Sequence, residues 1–501
     1  MGEGDSHTSY MHVSEESDSS ILPMNHSNKD RKLLAESEEG RLLIKENTHQ
    51  PSTPSTQSEI RVSQGLAGVR QAAKEGKEKK FTALLHHLTV GLLRQSFYAL
   101  KRKAAPGVDG VTWQEYEAGL EDRLIELHSR VHRGAYRAQP SRRVYIPKPD
   151  GRQRPLGVAA LEDKIVQQAV VTILNQIYEE DFRGFSYGFR PERSQHQALD
   201  ALSVGISRKK VNWVLDCDIR AFFDRLSHDW LLKFIQHRVA DRRILRLIQK
   251  WLKAGVMEEG EWKNTEMGTP QGSVISPLLA NIYLHYVFDL WADAWRKKCA
   301  RGEVLVVRYA DDHVLGFQHR ADADRFLVDF QERLGKFGLE LNPDKTRRIE
   351  FGIYAESNRK KKGRGKPDTF DFLGFTHISG KKRDGNFVVK RQTVGKRMRA
   401  KLEEIKQQLR NRTHDPIVQT GKWLKSVVQG YFNYYAVPGN TNSLRVFRFR
   451  VTQMWRKALI RRSQRHRLNW VRMQRLAKRW LPEPRILHPY PSVRFDVMHP
   501  R

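Results

Sequence analysis

The sequence predicts a mixed α/β domain followed by a mostly helical, strongly basic domain. Two apolar, strand-like runs at 212–219 and 304–318 are separated by segments with helical spacing, which is typical of a mixed domain. Beyond "FDFLGF" (370–375), apolar residues recur at helical spacing. Lys and Arg also concentrate there, with 27 basic and 5 acidic side chains in residues 390–501. At 501 residues, the chain has room for two or three domains.

The first part of the chain predicts these elements in order. Residues 1–80 are polar and Ser-rich without periodicity, so we expect disorder there, or at most a transient helix. An amphipathic helix is predicted from Phe81, ending in a Pro-Gly turn. Two strands joined by the turn "KPDG" are predicted within 142–158, and a helix over 161–182. The helices expected in the basic part lie at roughly 393–411, 417–435, 443–462 and 468–480.

The charge balance predicts a polyanionic partner. The chain has 89 Lys+Arg against 57 Asp+Glu, a formal net charge of +32, which together with the aromatic content indicates nucleic-acid binding rather than a solvated surface. No apolar run approaches the roughly 18 residues that span a bilayer, and no secretory signal is visible. Two cysteines, Cys217 and Cys299, exclude a disulfide framework and a zinc site of four thiolates. We therefore expect an intracellular, cytoplasmic protein with no membrane partner.

Adjacent carboxylates interrupt the apolar run "VLVVRYADDHVLGFQ" (304–318). Asp311 and Asp312 fall where a tight turn would join two short strands, and two ionised side chains there repel each other and resist burial. Upstream, "VLDCDI" places Asp216 and Asp218 on one face of a strand. If that strand pairs beside the hairpin, three carboxylates converge and form a site for Mg²⁺, which prefers hard oxygen ligands. Two such ions would support in-line phosphoryl displacement.

Seven sequence blocks fall in the order of a known family. In chain order, they are "YIPKPDGRQRPLG" (145–157), "YGFRPERS" (187–194), "DIRAFFD" (218–224), "GTPQGSVISPLLANIYL" (268–284), "RYADD" (308–312), "LNPDKT" (341–346) and "FLGF" (372–375). From about residue 85 onward, the chain strongly resembles bacterial group II intron-encoded reverse transcriptases, also called maturases. The resemblance implies an α+β right-hand polymerase fold, in which fingers and a palm with an antiparallel sheet (81–380) precede an all-helical thumb/maturase domain (381–501). Residues 1–80 have no counterpart in the family.

The resemblance implies RNA-directed DNA synthesis with two Mg²⁺ ions as cofactors. Carried over by position, the catalytic and metal-binding triad is Asp218, Asp311 and Asp312. Asp216 lies just outside the matching block. Asp224 is expected to be structural and to support the turn after the strand.

The resemblance also implies residues that contact the incoming dNTP. The positive charges of Lys148 and Arg154 would contact the triphosphate, although either could instead hold the template backbone. Phe223 would block a ribose 2′-hydroxyl and so favour deoxynucleotides, whereas Phe222 is expected in the core; the two could be reversed.

Two further positions have alternative interpretations. Gln271 would lie in a turn close to the nascent base pair, while the neighbouring Ser273 or Ser276 could cap a helix. Lys345 would approach the triphosphate or the leaving pyrophosphate, and a solvated lysine at a turn is the alternative. Among departures from the family's pattern, Arg220-Ala221 replaces Lys-Gly, and His313 replaces an apolar residue.

The basic C-terminal helices are expected to bind RNA. Their aromatic residues are interpreted mainly as a helical core, while the Arg and Lys residues of 445–467 cannot all be buried. The expected partners are group II intron RNA, an RNA template with a DNA primer, dNTPs and target DNA. Since no "CxxC" pair occurs, we expect no endonuclease domain. The alternatives are an RNA-binding splicing factor with an idle polymerase site, or a domesticated bacterial reverse transcriptase in repair or defence.

Overall fold

Three sheets and the helices that cover them make up the fold. A computed structural model describes residues 57–147, 153–258, 260–264, 267–269, 271–382, 384–462 and 468–498. The strands, in chain order, are β1 (Ser141–Pro147), β2 (Gln153–Val158), β3 (Trp213–Asp218), β4 (Val256–Glu258), β5 (Glu261–Lys263), β6 (Val304–Tyr309), β7 (Asp312–Phe317), β8 (Arg347–Glu350), β9 (Phe370–Phe372), β10 (Phe375–Lys381) and β11 (Phe387–Thr393).

Helices precede, separate and follow these strands. Those before β6 are α1 (Gln57–Glu75), α2 (Val90–Ala99), α3 (Trp113–Glu117), α4 (Leu120–His132), α5 (Leu161–Asp181), α6 (Gln195–Arg208), α7 (Phe222–Arg225), α8 (His228–Gln236), α9 (Arg242–Lys253), α10 (Ser276–Leu284) and α11 (Leu290–Lys298). Those after β7 are α12 (Arg320–Gly335), α13 (Ala355–Lys361), α14 (Gly395–Asn411), α15 (Ile417–Tyr435), α16 (Thr441–Ile460), α17 (Trp470–Trp480) and α18 (Pro491–Met498). A 3₁₀ turn (Leu85–His87) precedes α2, and a π-helical turn (His285–Asp289) joins α10 to α11.

The central sheet has the strand order β6-β7-β3-β8, and all its neighbouring strands are antiparallel. A first sheet, ordered β2-β1-β4-β5, contains the predicted β1–β2 pair, and a third sheet has the order β11-β10-β9. The strand predicted at 212–219 and the hairpin predicted within 304–318 are therefore confirmed. The helix predicted over 161–182 is confirmed as α5.

Helices cover both faces of the central sheet. All six residues of β6 are buried. Helix α6 packs so closely on one face that a Cβ atom at Gly205 would lie 2.6 Å from Leu305 Cδ1. On the other face, Phe326 of α12 packs against Phe317, with 5.5 Å between ring centroids. The apolar run that flanks the acidic residues thus forms the centre of the core.

Beyond β11, the regular elements of the described residues are all helices, as the periodicity predicts. Helices α14 to α17 lie within one to two residues of the expected bounds. Tyr431 of α15 stacks on Phe447 of α16 with 3.6 Å between centroids, and Trp455 is fully buried. Phe449 is an exception to the aromatic core, since 49% of it is exposed.

Helix α1 corrects the expectation of disorder for the described part of residues 1–80; residues 1–56 lie outside the described residues. Leu66, Val69 and Ala73 of α1 are buried, and the helix packs along α5. The buried Arg238 guanidinium donates hydrogen bonds to the Ala73 and Gly76 carbonyl oxygens at 3.3 and 2.7 Å. Tertiary contacts therefore stabilise a segment whose own composition is too polar to indicate a stable helix.

Two other boundaries differ from the prediction. The boundary expected at 380 would divide the β10–β11 hairpin, in which Lys381 pairs with Phe387 and Phe375 with Thr393. The helical part therefore starts at Gly395. The single helix expected from Phe81 is instead a 3₁₀ turn followed by the shorter α2. Among the described residues, no helix combines the length and apolar character needed to cross a membrane.

The third sheet contains a buried histidine that makes stability depend on pH. His377 is fully buried, and its ring stacks on Phe370 with 4.8 Å between centroids. Burial, assisted by the charge of Arg391, lowers the pKa of His377 to about 3. As the pH falls from about 6.5 to 3, the unfolded chain binds a proton that the folded chain excludes, so this residue then favours unfolding.

We predict that His377→Gln reduces the loss of stability in this pH range. The wild type should lose up to about 1.4 kcal/mol per pH unit more than the variant below pH 6.5, because only the wild-type side chain titrates on unfolding. Urea unfolding at several pH values between 7 and 4 measures the difference in slope. Parallel pH profiles of the two proteins would contradict the prediction, whatever the absolute stability of the variant.

Candidate active site

The hairpin between β6 and β7 presents two of the three predicted acidic residues. Its turn consists of Ala310 and Asp311, because Tyr309 pairs directly with Asp312. Ala310 adopts a left-handed conformation with φ of 56°, which is unfavourable for a residue with a Cβ atom. Asp311 therefore lies at the tip of a tight turn, and Asp312 is the first residue of β7.

The third acidic residue lies beside this hairpin. In the antiparallel register of β3 and β7, Asp218 is directly opposite Asp312, and such pairs have Cβ atoms about 4.5–5.5 Å apart. Both side chains are partly exposed, whereas Cys217 between Asp216 and Asp218 is buried. This alternation agrees with the predicted arrangement of Asp216 and Asp218 on one face. Like charges directly opposite each other are destabilising, so a nearby cation stabilises the pair.

Lys345 supplies a positive charge to this pair. Its Nζ lies 3.1 and 3.0 Å from Oδ1 and Oδ2 of Asp218. Asn342 also donates from its backbone N to the Asp218 carbonyl at 2.7 Å and from its side-chain amide to Oδ2 at 3.2 Å. The block "LNPDKT" thus holds Asp218 from beside the sheet. The position is compatible with the predicted site, but the lysine contacts the aspartate directly.

The donor set fits a hard divalent cation in its chemistry and in its backbone placement. The strand register sets two carboxylates opposite each other, with a third on the adjoining turn. Within the described ranges, however, no group of three or more His, Cys, Asp or Glu side chains is arranged to hold a metal ion as it stands. Lys345 contributes to Asp218 the compensating charge that a cation would contribute.

Asp216 differs from the other acidic residues of the site. Its carboxylate faces Arg347 of β8, with 3.5 Å between Oδ2 and Nη2. Burial raises the pKa of Asp216 to about 6, although the Arg347 charge acts in the opposite direction. The Asp216 carboxylate is thus already paired with a positive charge on the neighbouring strand, whereas Asp218 and Asp312 lie opposite each other. This pairing supports leaving Asp216 outside the triad.

A buried ion pair supports the acidic turn from behind. Arg308 and Asp289 are both fully buried, and Arg308 Nε and Nη2 donate to the two carboxylate oxygens at 2.7 and 2.6 Å. Arg308 Nη1 also donates to the carbonyl oxygen of Ala310 at 3.0 Å. Burial disfavours the charge of Asp289, but Arg308 and His285 outweigh it and lower its pKa to about 2. The guanidinium thereby connects a charged core to the backbone that presents Asp311.

Asn281 and Gly188, from two other sequence blocks, pack against the turn. The Asn281 side chain accepts from Arg308 Nη1 at 3.0 Å and donates to the Gly188 carbonyl at 2.7 Å. Gly188 lies against the turn, since a Cβ atom there would be 2.3 Å from the Ala310 nitrogen. The blocks "YGFRPERS", "GTPQGSVISPLLANIYL" and "RYADD" therefore meet at one point. Sequence reasoning had assigned no role to Arg308, Asp289, Asn281 or Gly188, although an Arg within an apolar strand signals a buried acidic partner.

A hydrogen-bond relay joins the first sheet to the site. Arg154 of β2 donates from Nε to Gln271 Oε1 at 2.8 Å, and Gln271 donates from Nε2 to Asp224 Oδ1 at 3.4 Å. The Gly157 nitrogen donates to the Gln271 carbonyl at 2.7 Å. The structure therefore brings together Arg154, Gln271 and Asp224, and the structural role expected of Asp224 stays a prediction. Lys148 lies outside the described residues.

The two phenylalanines after β3 are distinguished by burial. Phe222 is 2% exposed and packs near Tyr283, as expected for a core residue, whereas Phe223 is only half-buried. The Thr269 nitrogen donates to the Phe223 carbonyl at 2.8 Å, which ties this segment to the Gln271 turn. Ala221, which replaces the family's glycine, has a φ of 47° and carries the strain of the left-handed region.

The helix-capping alternative for Ser273 and Ser276 is wrong. The N-cap of α10 is Ile275, and no side chain caps it. Ser273 instead donates to Gln167 Oε1 at 2.8 Å in the interior. His313 is buried and packs against Phe288 with 4.3 Å between centroids, so it belongs to the core.

Carboxylates placed beside one another are the ligands with which enzymes hold the divalent cations of phosphoryl transfer. Comparison with known families agrees: residues 146–377 match the family described as reverse transcriptase (RNA-dependent DNA polymerase). The chain is 37% identical to "Protein YkfC" of Escherichia coli (strain K12) over 274 residues, which are 48% of this chain and 71% of that protein.

Two other relatives are named for introns. "Group II intron-encoded protein LtrA" of Lactococcus lactis subsp. cremoris is 35% identical over 225 residues, covering 44% of this chain and 37% of LtrA. "Uncharacterized 91 kDa protein in cob intron" of Schizosaccharomyces pombe is 35% identical over 213 residues, covering 42% of this chain and 26% of that protein. The chain belongs to the reverse transcriptase family, in the group II intron reverse transcriptase/maturase branch. It spans about a third of the length of LtrA and about 70% of YkfC.

We predict that Arg308→Met destabilises the protein by about 3–5 kcal/mol, because it leaves the Asp289 carboxylate buried without its ionic partner. The double variant Arg308→Met/Asp289→Leu should regain much of that loss, since an apolar pair of similar volume removes the unpaired charge. Urea unfolding at pH 7 measures both free energies. As a control, the exposed Arg320→Met should change stability by no more than about 0.5 kcal/mol. Equal effects at positions 308 and 320 would contradict the prediction.

Proposed function

We propose that this protein synthesises DNA on an RNA template at Asp218, Asp311 and Asp312, and that it binds group II intron RNA to assist splicing. The observation that carries the polymerase proposal is the β3–β7 register, which sets Asp218 opposite Asp312 beside the Asp311 turn. In this proposal the first sheet belongs to the fingers, the central sheet to the palm, and the helices from Gly395 to the thumb and maturase region.

Asp218, Asp311 and Asp312 would hold two Mg²⁺ ions. When bound, these ions would stabilise charge on the attacking and leaving oxygens of an in-line displacement. The chain itself contributes the placement of the three carboxylates by strand register and the support of the turn by Arg308. Lys345 would leave Asp218 and become available for the negatively charged phosphates of the nucleotide.

The remaining residues position the incoming nucleotide. Arg154 would contact the triphosphate together with Lys148, and its bond to Gln271 would align it with the nascent base pair. Phe223, half-buried beside this relay, would exclude a ribose 2′-hydroxyl. Positioning and charge stabilisation supply most of the catalysis in phosphoryl transfer, so groups fixed in this way are the ones that the reaction needs.

The basic helices would bind RNA and the template–primer duplex. Exposed Arg445 and Arg450 of α16 lie beside the exposed Phe449, and Arg472 and Arg475 extend the basic surface on α17. Cations spread over a helical surface contact phosphates, and such binding weakens steeply as the salt concentration rises. Target DNA would be recognised during mobility of the intron.

We predict that Asp311→Asn lowers primer extension on an RNA template with Mg²⁺ by on the order of 100–1000-fold, because it removes part of the charge stabilisation that the metal site supplies. Asp216→Asn is the matched control: it lies on the same face of β3 as Asp218, and its extension rate should stay within about tenfold of wild type. Incorporation of labelled dNTP into a primer measures the rates.

The same variants separate the polymerase from the alternative of a splicing factor with an idle site. Asp311→Asn should still promote splicing of the intron RNA, because the RNA-binding helices are unchanged. If wild type and Asp311→Asn extend primers equally poorly while both promote splicing, the polymerase proposal fails.

We predict that Phe223→Ala increases the use of ribonucleotides relative to deoxynucleotides by on the order of 10–100-fold, because the ring no longer blocks the 2′-hydroxyl. Single-nucleotide extension with dNTP and rNTP measures the ratio of kcat/KM values. Phe222→Leu is the control, since loss of a core side chain should lower stability and leave the ratio unchanged. A change in the ratio with Phe222→Leu alone would assign the role to the other ring.

A further inference from the structure

The segment between β8 and β9 carries a dense positive charge. We call residues 359–366, with the sequence "RKKKGRGK", the basic loop; it contains six Lys and Arg residues and no acidic residue. It comprises the end of α13 and the turn that follows. The reverse-transcription chemistry proposed above makes no use of it.

The basic loop has a defined shape. Arg359 Nη1 lies 2.9 Å from Asp368 Oδ2, and its Nε donates to the Gly365 carbonyl at 3.1 Å. Gly363 has a φ of 65° and its nitrogen donates to the Lys360 carbonyl at 3.1 Å, which ends the helix in the manner that favours glycine. Arg359 thus closes the loop from inside and leaves the neighbouring cations pointing outward.

Four of these cations lack an acidic partner. Lys360, Lys361, Arg364 and Lys366 are exposed, and across the described ranges none of them forms an ion pair. Lys362 has only a long contact with Glu350, at 3.9 Å. Basic residues are favourable in the last turn of a helix, which accounts for Lys360 and Lys361 but not for Arg364 and Lys366. Helix stability therefore does not explain the whole cluster.

An exposed aromatic residue lies on the same helix. Tyr354, the N-cap of α13, is 48% exposed, and Ile353 beside it is 42% exposed. Tyr354 precedes Lys361 by seven residues, so the two lie on one face of the helix about 10 Å apart along its axis. The combination of cations and an aromatic ring is typical of single-strand binding, in which phosphates contact cations and a base stacks on the ring.

The backbone of the loop is open to a ligand. A Cβ atom at Gly363 or Gly365 would meet nothing within 4 Å, and Gly365 does not have the positive φ that favours glycine. Neither packing nor strain within the chain thus requires glycine at position 365. The absence of a side chain there permits close approach of a strand to the backbone.

The surface is separate from the acidic site. Strand β8, which leads to α13, pairs Arg347 with Asp216 and Glu350 with Trp213. The basic loop therefore follows the end of the central sheet that is opposite to Asp218, and five residues of β3 span about 17 Å. The helix that carries the basic loop therefore starts from the end of the sheet away from Asp218.

We infer that Tyr354 and the basic loop bind a single-stranded segment of nucleic acid outside the polymerase site, with phosphates on Lys360, Lys361, Arg364 and Lys366 and a base on Tyr354. Two features favour this occupant over an acidic protein: the aromatic ring beside the cations, and the open glycine backbone. The inference goes beyond the proposed polymerase function and does not depend on it.

The test measures binding of a labelled 12-nucleotide single strand to the full chain by fluorescence anisotropy, with an unlabelled primer–template hairpin in excess to fill the main cleft. In the neutral variant, Lys360, Lys361, Arg364 and Lys366 are all changed to Gln. We expect binding at least tenfold weaker, and a slope of log K against log[salt] smaller by about 2–3, because each phosphate contact to a single strand contributes about 0.7.

A control variant carries the same change of net charge elsewhere. It replaces with Gln four exposed cations in or directly after α11 and α12, namely Lys297, Lys298, Arg320 and Lys336. Binding by the control variant should stay within twofold to threefold of wild type. If the neutral and control variants weaken binding equally, the loop contributes only net charge and the inference is overturned.

The aromatic contact has its own test. Tyr354→Ala should weaken binding of the single strand at least fivefold, whereas Tyr354→Phe should retain it, because stacking needs the ring and not the hydroxyl. A fully paired duplex of the same length should show no difference between the two variants. Equal affinity of Tyr354→Ala and wild type for the single strand would overturn the stacking part of the inference.

Two further measurements decide between occupants and between proposals. Poly-glutamate of equal charge should compete at least tenfold less well than the oligonucleotide; equal competition would identify an acidic-protein surface and overturn the inference.

Primer extension on a short template should be unchanged in the neutral variant. If wild type fails to extend primers, the polymerase proposal fails. The binding inference is then still decided by the anisotropy measurements on the neutral and control variants.

Discussion

The register between β3 and β7 is the constraint on which the site depends. Asp218 and Asp312 meet because these two strands pair with Asp216 opposite Val314 and Leu215 opposite Leu315. A shift by one residue would turn the buried face of β3 outward, and the packing of helices on both faces of the sheet opposes such a shift. The apolar side chains around the carboxylates therefore determine where the charges lie. The packing of these apolar side chains holds the carboxylates of Asp218 and Asp312 close together despite their mutual repulsion.

The buried side chain of Arg308 connects the core to the turn of the acidic hairpin. Arg308 is the last but one residue of a strand in which every residue is buried, and it is tolerated because Asp289 and Asn281 satisfy its guanidinium. Its remaining bond to the Ala310 carbonyl fixes a backbone conformation that alanine adopts with strain. The interior of the protein and the tip of the acidic hairpin are in this way one connected hydrogen-bond network.

Much of this arrangement could be predicted from the sequence, because it follows from local patterns. Alternation placed Asp216 and Asp218 on one face, and two acidic residues between apolar runs indicated the hairpin turn. Helical spacing likewise predicted α5 and the C-terminal helices. Contacts between distant segments could not be predicted from the sequence. Helix α1 depends on Arg238, which lies far along the chain. Ser273 donates a hydrogen bond to Gln167 rather than capping α10. The contact of Lys345 with Asp218 could not be predicted either, because 127 residues separate them in the sequence.

The contact of Lys345 with Asp218 has a consequence for how the protein folds. Many metalloproteins gain their stability only when the ion is present, because clustered ligands repel one another in the apo state. This chain carries its own counter-ion, an ammonium group on a flexible stem, within 3.1 Å of both oxygens of one ligand. The chain itself therefore supplies a counter-charge to one of its clustered carboxylates when the ends of β3 and β7 come together. In the proposed polymerase, an ion bound at Asp218 would take over the charge that this ammonium group supplies.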